Sequence, residues 1–250
     1  MRLLILAPTL LLANTASIAC DDVGDQSGTA SIPLNSASAE GFVPDGWYLE
    51  KSVEGDLDKD GLPDLAIIIR QNDPELVIEG NGFGADQYDG NPRTIVVALK
   101  QTGGGYLRIA QNDQIIPVTG GAMFDDPIDN ASDGSLTIDK GVIRLNIGFW
   151  ASAGTWDMFN RTFSFRLKGA QLGLIGYDNH HVHRGSGALN IVSINYLTWR
   201  KKTESGSIED DHVPEVWSRI SRKPLILFDD IGSGYEFDPD KTSLFRQDID

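Results

Sequence analysis

Four aspartates occupy alternate positions of one short stretch of the sequence, where their carboxylates could share a cation. They stand at positions 1, 3, 5 and 9 of a loop over residues 56–64, and Gly61 stands at position 6. A loop that curls around Ca²⁺ supplies about six to eight oxygens, and a glycine permits the sharp turn. The spacing therefore predicts a calcium site. Its ligands are the carboxylates of Asp56, Asp58, Asp60 and Asp64 and the backbone carbonyl of Leu62.

The residues after this loop exclude an EF-hand. An EF-hand has a bidentate Glu at position 12 and a helix on each side. Position 12 here is Ile67, and residues 65–69 are the apolar, β-type run Leu-Ala-Ile-Ile-Ile. Asp64 must therefore close the coordination shell, and we expect the chain to leave the loop as a strand.

The loop and the strand after it resemble a known calcium motif. The sequence GDLDKDGLPDLAI of residues 55–67 is similar to the calcium loop of FG-GAP (VCBS-type) repeats, as in integrin α-subunit propellers. The resemblance implies the same ligand set as the spacing does. A propeller needs several such blades, and the acidic stretch over residues 125–134 lacks the spacing of a second copy. A full propeller is therefore not expected.

A second resemblance covers more of the chain. Trp156, Leu-Gly-Leu-Ile-Gly-Tyr-Asp over residues 172–178, Asn-Tyr-Leu-Thr over 195–198 and Lys-Pro-Leu-Ile-Leu over 223–227 are similar to a family of exported bacterial proteins without an assigned activity. Members of that family favour Gly after Asn-Tyr-Leu-Thr, where this chain has Trp199. The resemblance implies one β-rich domain and no particular chemistry.

The N-terminus has the pattern of a secretion signal. Arg2 precedes a mainly apolar run over residues 3–12, which is shorter than the roughly 20 residues that span a bilayer. We therefore expect residues 1–19 to be removed, leaving no transmembrane segment. Cys20, the single cysteine, follows directly, where a bacterial lipoprotein carries its lipid, although Ser17 replaces the usual Leu. Acylation of Cys20, a free thiol and cleavage beyond it are the alternatives.

The chain is strongly acidic, with 36 Asp and Glu against 21 Lys and Arg and a formal net charge of −15. This charge repels nucleic acid and anionic membrane surfaces, so neither is an expected partner. Together with the signal peptide, it predicts an exported protein of the periplasm or outer envelope. The expected partner is an envelope protein or a glycan.

Residues 46–231 have the pattern of an all-β domain. Residues 143–149 and 163–167 alternate between apolar and polar side chains, the period of a strand with one buried face. We predict a single antiparallel meander or sandwich-like domain with one calcium loop. Residues 20–45 have few large apolar side chains, which predicts a flexible linker or tether, and residues 232–250 form an acidic tail.

Two segments near the C-terminus are predicted to lie outside the main strands. Residues 200–212 are charged and polar and are assigned to a long loop, and residues 213–220 are compatible with a short helix. The strand-like stretch over residues 223–228 follows them. We expect residues 213–231 to pack back on the domain.

A second metal is a hypothesis for the cluster His180, His181 and His183. In an extended segment His181 and His183 share a face, and imidazoles suit zinc, copper or nickel. The alternative is a surface loop without a metal. Nearby, an aromatic group surrounds a turn of small residues and is either core or a surface that stacks on sugar or protein. Its members are Phe149, Trp150, Trp156 and Phe159.

The sequence lacks the common catalytic signatures, including Gly-x-Ser-x-Gly, His-Glu-x-x-His and the phosphate-binding glycine loop. The leading prediction is therefore an exported calcium-binding protein that acts by binding, with calcium in a structural role. The alternative is a secreted hydrolase acting on polysaccharide or peptidoglycan, because paired catalytic carboxylates have no fixed spacing in sequence.

Overall fold

The computed structural model describes residues 30–129, 134–222 and 224–240, so the predicted signal peptide and Cys20 lie outside it. The described chain is all-β, and its strands pair antiparallel. Within these residues no helix has the length and hydropathy needed to cross a bilayer. The strands are β1 Asn35–Ser36, β2 Trp47–Gly55, β3 Asp64–Gln71, β4 Val77–Glu79, β5 Gln87–Asp89, β6 Arg93–Lys100, β7 Tyr106–Asn112, β8 Leu136–Asp139, β9 Val142–Phe149, β10 Asp157–Lys168, β11 Gln171–His183, β12 Ala188–Asn195, β13 Arg200–Ser207 and β14 Glu215–Arg219. Short 3₁₀ helices span Glu40–Phe42, Pro74–Leu76 and Phe228–Asp230.

Two large sheets make up the fold. The first has five strands in the order β1-β7-β6-β3-β2, and the second has seven in the order β14-β13-β12-β11-β10-β9-β8. The second sheet follows chain order, which confirms the predicted antiparallel meander, and it curls into a half-barrel. Strands β4 and β5 form a separate ribbon.

The main core lies between the two sheets. The five-stranded sheet contributes Ala66 and Ile68 from β3 and Ile95 and Val97 from β6. The seven-stranded sheet contributes apolar side chains of β9 to β12, and those from β9 and β10 are ones that the alternation in the sequence predicts to be buried. The side chains from the four strands are Ile143, Leu145, Ile147, Phe163, Phe165, Leu172, Leu174, Tyr177 and Ile194. One face of each sheet is therefore removed from water, as in a β-sandwich.

Strand β3 is buried on both faces. Its other side chains, Leu65, Ile67 and Ile69, belong to a second core on the outer face of the five-stranded sheet. The covering residues are Ala30, Ile32, Ala39 and Phe42, with Val43, Trp47 and Leu49 at the margin. A strand covered on both sides has no polar face, which explains its continuous apolar run.

Buried ion pairs hold the C-terminal end of β3. The Arg93 guanidinium donates to Glu50 Oε2 and Asp126 Oδ2, both at 2.7 Å. Arg70, next to it on β3, donates to the backbone carbonyl of Asp89 at 2.8 Å and lies 3.4 Å from Glu50 Oε1. Removing one member of such a network leaves a buried charge without its partner, so the group fixes this end of the strand.

Several segments are more ordered than the sequence predicts. The predicted linker over residues 20–45 does not extend past Ala30, because residues 30–45 cover β3 and β1 pairs with β7. Part of the predicted acidic tail also packs: Arg161 donates to the carbonyls of Gly234 at 2.8 Å and Tyr235 at 2.7 Å. The predicted loop over residues 200–212 contains strand β13.

The remaining differences lie in the last part of the meander. The segment over residues 213–220 contains strand β14 instead of a helix, since β13 supplies a partner for its backbone. Of the strand-like stretch over residues 223–228, the described residues 224–228 make an isolated bridge between Gly173 and Leu227, and Phe228 begins a 3₁₀ helix. Trp199 adopts a φ of 56°, in the left-handed region that favours glycine, and packs against the main core.

The burial of residues 30–45 can be tested with a pair of substitutions in this segment. Phe42 is 0% exposed, so Phe42→Ala should lower the free energy of unfolding by about 3–5 kcal/mol. Leu34 is 57% exposed, so Leu34→Ala should change it by no more than about 0.5 kcal/mol. Urea denaturation measures both values. Equal effects of the two substitutions would contradict the packing of this segment on β3.

Candidate metal centre

The aspartate loop is the connection of a β-hairpin. Gly55 at the end of β2 is in register with Asp64 at the start of β3, and residues 56–63 lie between them. The loop curls around the carboxylate of Asp56, whose Oδ1 accepts from the Lys59 N–H at 2.7 Å and whose Oδ2 accepts from the Gly61 N–H at 3.1 Å. Lys59 and Gly61 both have positive φ, 69° and 87°, which turns the chain sharply.

Three of the four predicted carboxylates converge. One carboxylate oxygen from each of Asp56, Asp58 and Asp64 lies within 4.8 Å of the others. Such an acidic triad could hold a metal ion, because an ion between the oxygens removes the repulsion among them. Within the described part of the chain, no other group of three His, Cys, Asp or Glu side chains converges in this way.

Asp64 differs from the other two members because it is completely buried. Its exposed fraction is 0%, and its Oδ2 accepts from the Leu57 N–H at 2.7 Å while its Oδ1 accepts from the Lys100 N–H at 2.8 Å. Burial raises the pKa of the Asp64 carboxyl, against the opposing effect of these two N–H donors, and the nearby Asp58 charge raises it further. A cation beside Asp64 would favour its ionised form.

The loop is attached to both sheets. The Leu57 side chain, inside the loop, is buried in the core between the sheets. A Cβ atom at Gly55 would collide with the side chain of Ile138 on β8, and one at Gly141 in the β8–β9 turn would lie 3.5 Å from the Leu57 carbonyl oxygen. The positions of Asp56 and Asp58 therefore depend on the packing of β2 against the β8–β9 hairpin.

Asp60 and Leu62, the remaining predicted ligands, lie next to the triad in the loop but are not part of it. The Asp60 side chain is exposed, and its Oδ1 accepts from the Leu62 N–H at 2.8 Å. The Asp60 N–H in turn donates to Asp58 Oδ1 at 3.1 Å. Their contribution as ligands stays a prediction from the spacing.

The histidine cluster lies on strand β11 and not in a surface loop. Adjacent residues of a strand point to opposite faces, so His180 is separated from His181 and His183. His181 Nε2 lies 2.9 Å from Asp157 Oδ1, and His183 Nδ1 lies 2.8 Å from Ser186 Oγ. The two imidazoles on one face thus have separate partners, and they are not among the converging groups of the described residues.

The aromatic residues around the small-residue turn have different environments. Phe149 and Phe159 stack at 4.9 Å between ring centroids and line a shallow cleft of about 360 Å³ with Trp150. The Arg184 guanidinium lies 4.8 Å from the centre of the Trp150 ring, whereas Trp156 is 62% exposed. The group is therefore neither wholly core nor a continuous exposed surface.

Comparison with known proteins does not assign the chain to a family. No protein-family model, no curated protein sequence and no solved structure matches it. The chemistry of the acidic triad and its place between the sheets are therefore the basis for a functional proposal.

The two roles of Asp64, as an acceptor of backbone hydrogen bonds and as a member of the triad, can be separated in a chelator. Asp64→Ala should destabilise the metal-free chain by about 1–3 kcal/mol for each orphaned N–H, those of Leu57 and Lys100. Asp58 is exposed, so Asp58→Ala should change the stability by no more than about 0.5 kcal/mol. Urea denaturation in EGTA is the measurement, and equal losses would refute the structural role of Asp64.

Proposed function

We propose that this chain is an exported calcium-binding protein, in which the ion braces the junction of the two sheets and the protein acts by binding rather than catalysis. The observation that carries the proposal is the convergence of Asp56 and Asp58 on Asp64, a carboxylate that is fully buried at the start of a central strand. Burying a carboxylate is unfavourable unless the charge is neutralised. A bound cation would provide that neutralisation.

The donor set favours calcium over other ions. The triad offers only carboxylate oxygens, which suit hard cations, whereas zinc and copper favour imidazole and thiolate. Calcium accepts about six to eight oxygens in a flexible geometry, while magnesium requires near-ideal octahedral ligands. The Asp60 carboxylate and the Leu62 carbonyl would complete the shell, as the resemblance to FG-GAP (VCBS-type) loops implies.

A structural role for the ion follows from where the loop is attached. Leu57 anchors the loop in the core between the sheets, and the β8–β9 turn packs against it at Gly141. An ion held by Asp56, Asp58 and Asp64 would therefore stabilise both the β2–β3 hairpin and its contact with the second sheet. A site outside the cell can work with a dissociation constant of about 10⁻⁴–10⁻³ M.

The proposed location is the periplasm or the outer envelope. The signal-like residues 1–19 and the net charge of −15 support it, with Cys20 as the proposed point of lipid attachment. A partner there would be an envelope protein or a glycan.

Calcium should raise the thermal stability of the chain. At 10 mM Ca²⁺ the expected gain is about 1.4–2.7 kcal/mol, or roughly 3–10 °C in the melting temperature, from the affinity given above. EGTA should reverse the shift. Asp58→Asn should abolish it, while Asp211→Asn, the same charge change at an exposed residue between β13 and β14, should preserve it. A melting temperature of the wild-type chain that is identical in Ca²⁺ and EGTA would sink the proposal.

The effect of calcium should depend on pH. The native pKa of Asp64 lies above its ordinary value of 3.8, so the metal-free native state holds this proton more tightly than the unfolded state does. The contribution of Asp64 to the stability of the metal-free chain therefore falls as the pH rises from the pKa of the unfolded state through the higher pKa of the native state. Calcium needs the ionised form, so its stabilisation should be small near pH 4 and complete near pH 7. Calcium-dependent melts over this range test the trend, and a shift independent of pH would contradict it.

A further inference from the structure

The last strand of the seven-stranded sheet has an exposed outer edge. β14 lies at the end of the strand order, and all five of its residues are exposed. They include two large apolar side chains, Val216 at 60% and Trp217 at 53%. An exposed edge that carries apolar side chains is a template for pairing with another strand, which natural proteins usually avoid or use.

The hydrogen-bond pattern shows which backbone groups of β14 are directed outward. The Ile220 N–H donates to the Trp199 carbonyl at 3.0 Å, one residue beyond the Arg200–Arg219 pair, so Ile220 directs its N–H toward β13. Pairing alternates along an antiparallel ladder, so Ser218 and Val216 bond to β13 next. The N–H and C=O groups of Glu215, Trp217 and Arg219 therefore point away from β13.

The outer face of this edge carries opposite charges at its two ends. In the ladder Glu204 is opposite Glu215, and Arg200 is opposite Arg219. Lys202 lies between the two acids, at 2.6 Å from Glu204 Oε1 and 3.1 Å from Glu215 Oε1. No such bridging acid lies between the two arginines in the register of β13 and β14. The strand pair thus has an acidic end and a basic end.

We propose that β14 pairs antiparallel with β14 of a second copy of this chain, about a two-fold axis at Trp217. In this register Trp217 meets its own equivalent, and Glu215 of each copy lies opposite Arg219 of the other. These are the residues whose backbone groups point outward, so each of the three pairs exchanges both of its hydrogen bonds. The acidic end of each copy meets the basic end of the other, which relieves the Arg200–Arg219 repulsion.

Charge selects this arrangement against its alternatives. A parallel pairing would place acid against acid and arginine against arginine, and a shift by one residue would bring together backbone groups already bonded to β13. The contact is a single short strand on each side, so the dimer belongs to the weak class of interfaces that bury little area. The pairing is independent of calcium, because β14 lies at the opposite edge of the sheet from β8.

Charge reversal tests the proposal in the full chain by sedimentation over concentrations up to about 1 mM, a range suited to weak association. The wild-type chain should form a concentration-dependent dimer. Glu215→Arg or Arg219→Glu alone should raise its dissociation constant roughly tenfold or more, since two attractive pairs become repulsive. The combination of both substitutions should restore the wild-type affinity of the dimer. Glu75→Arg, an equal charge change at an exposed residue of the 3₁₀ helix Pro74–Leu76, should have no effect.

A second pair of variants tests the backbone bonds without changing charge. Trp217→Pro removes an outward N–H and keeps the bonds to β13, because proline is tolerated on a strand edge that faces solvent. It should abolish the dimer, while Trp217→Val, which retains the N–H, should keep it detectable. Thermal melts confirm that each variant is folded. A monomer at all concentrations, or a dimer insensitive to both the single charge reversals and Trp217→Pro, would overturn the proposal.

Discussion

Strand β3 packs into two hydrophobic cores at the same time, one on each of its faces, and the rest of the molecule is arranged around this constraint. Its even-numbered apolar residues pack between the sheets, and its odd-numbered ones pack under residues 30–49. Each end of β3 carries a buried charge: Asp64 at the start and Arg70 near the end. Backbone donors satisfy the first, and carboxylates satisfy the second.

The acidic triad lies at the boundary between the buried strand β3 and the solvent. Asp64 is fixed by the strand and by N–H groups of two neighbouring segments, whereas Asp58 is exposed and Asp56 is held by the turn of the loop. Leu57 ties the same loop to the second sheet. The three carboxylates repel each other, and the tertiary packing of the loop holds them together against this repulsion. A cation would remove the repulsion, so that the electrostatics of the loop and the packing around it would favour the same conformation.

The sequence predicted best what depends on local pattern. Alternation identified β9 and the second half of β10, and the spacing of the aspartates identified the triad. Pattern could not reveal that Asp64 is buried, because one of its two N–H donors is that of Lys100 on β6, which is distant in sequence. Phe42 is a single aromatic anchor in a stretch of small residues, too little to predict an ordered segment from composition. Strand β13 is polar because it lies near the edge of its sheet. Residues 232–240 are held by backbone carbonyls that accept from Arg161 and by Tyr235 and Phe237, which pack against the main core.

The two segments that cover the sheets come from opposite ends of the described chain. Residues 30–49 close the outer face of β3, and residues 231–240 lie against the curled sheet, with Ile231 and Phe237 packed on the main core. A chain that is made from its N-terminus can cover the outer face of β3 early, because residues 30–49 precede this strand. The inner face packs against β9 to β12, which are made later, so Ala66 and Ile68 stay exposed until the second sheet has formed. Such transient exposure of apolar surface favours aggregation during synthesis.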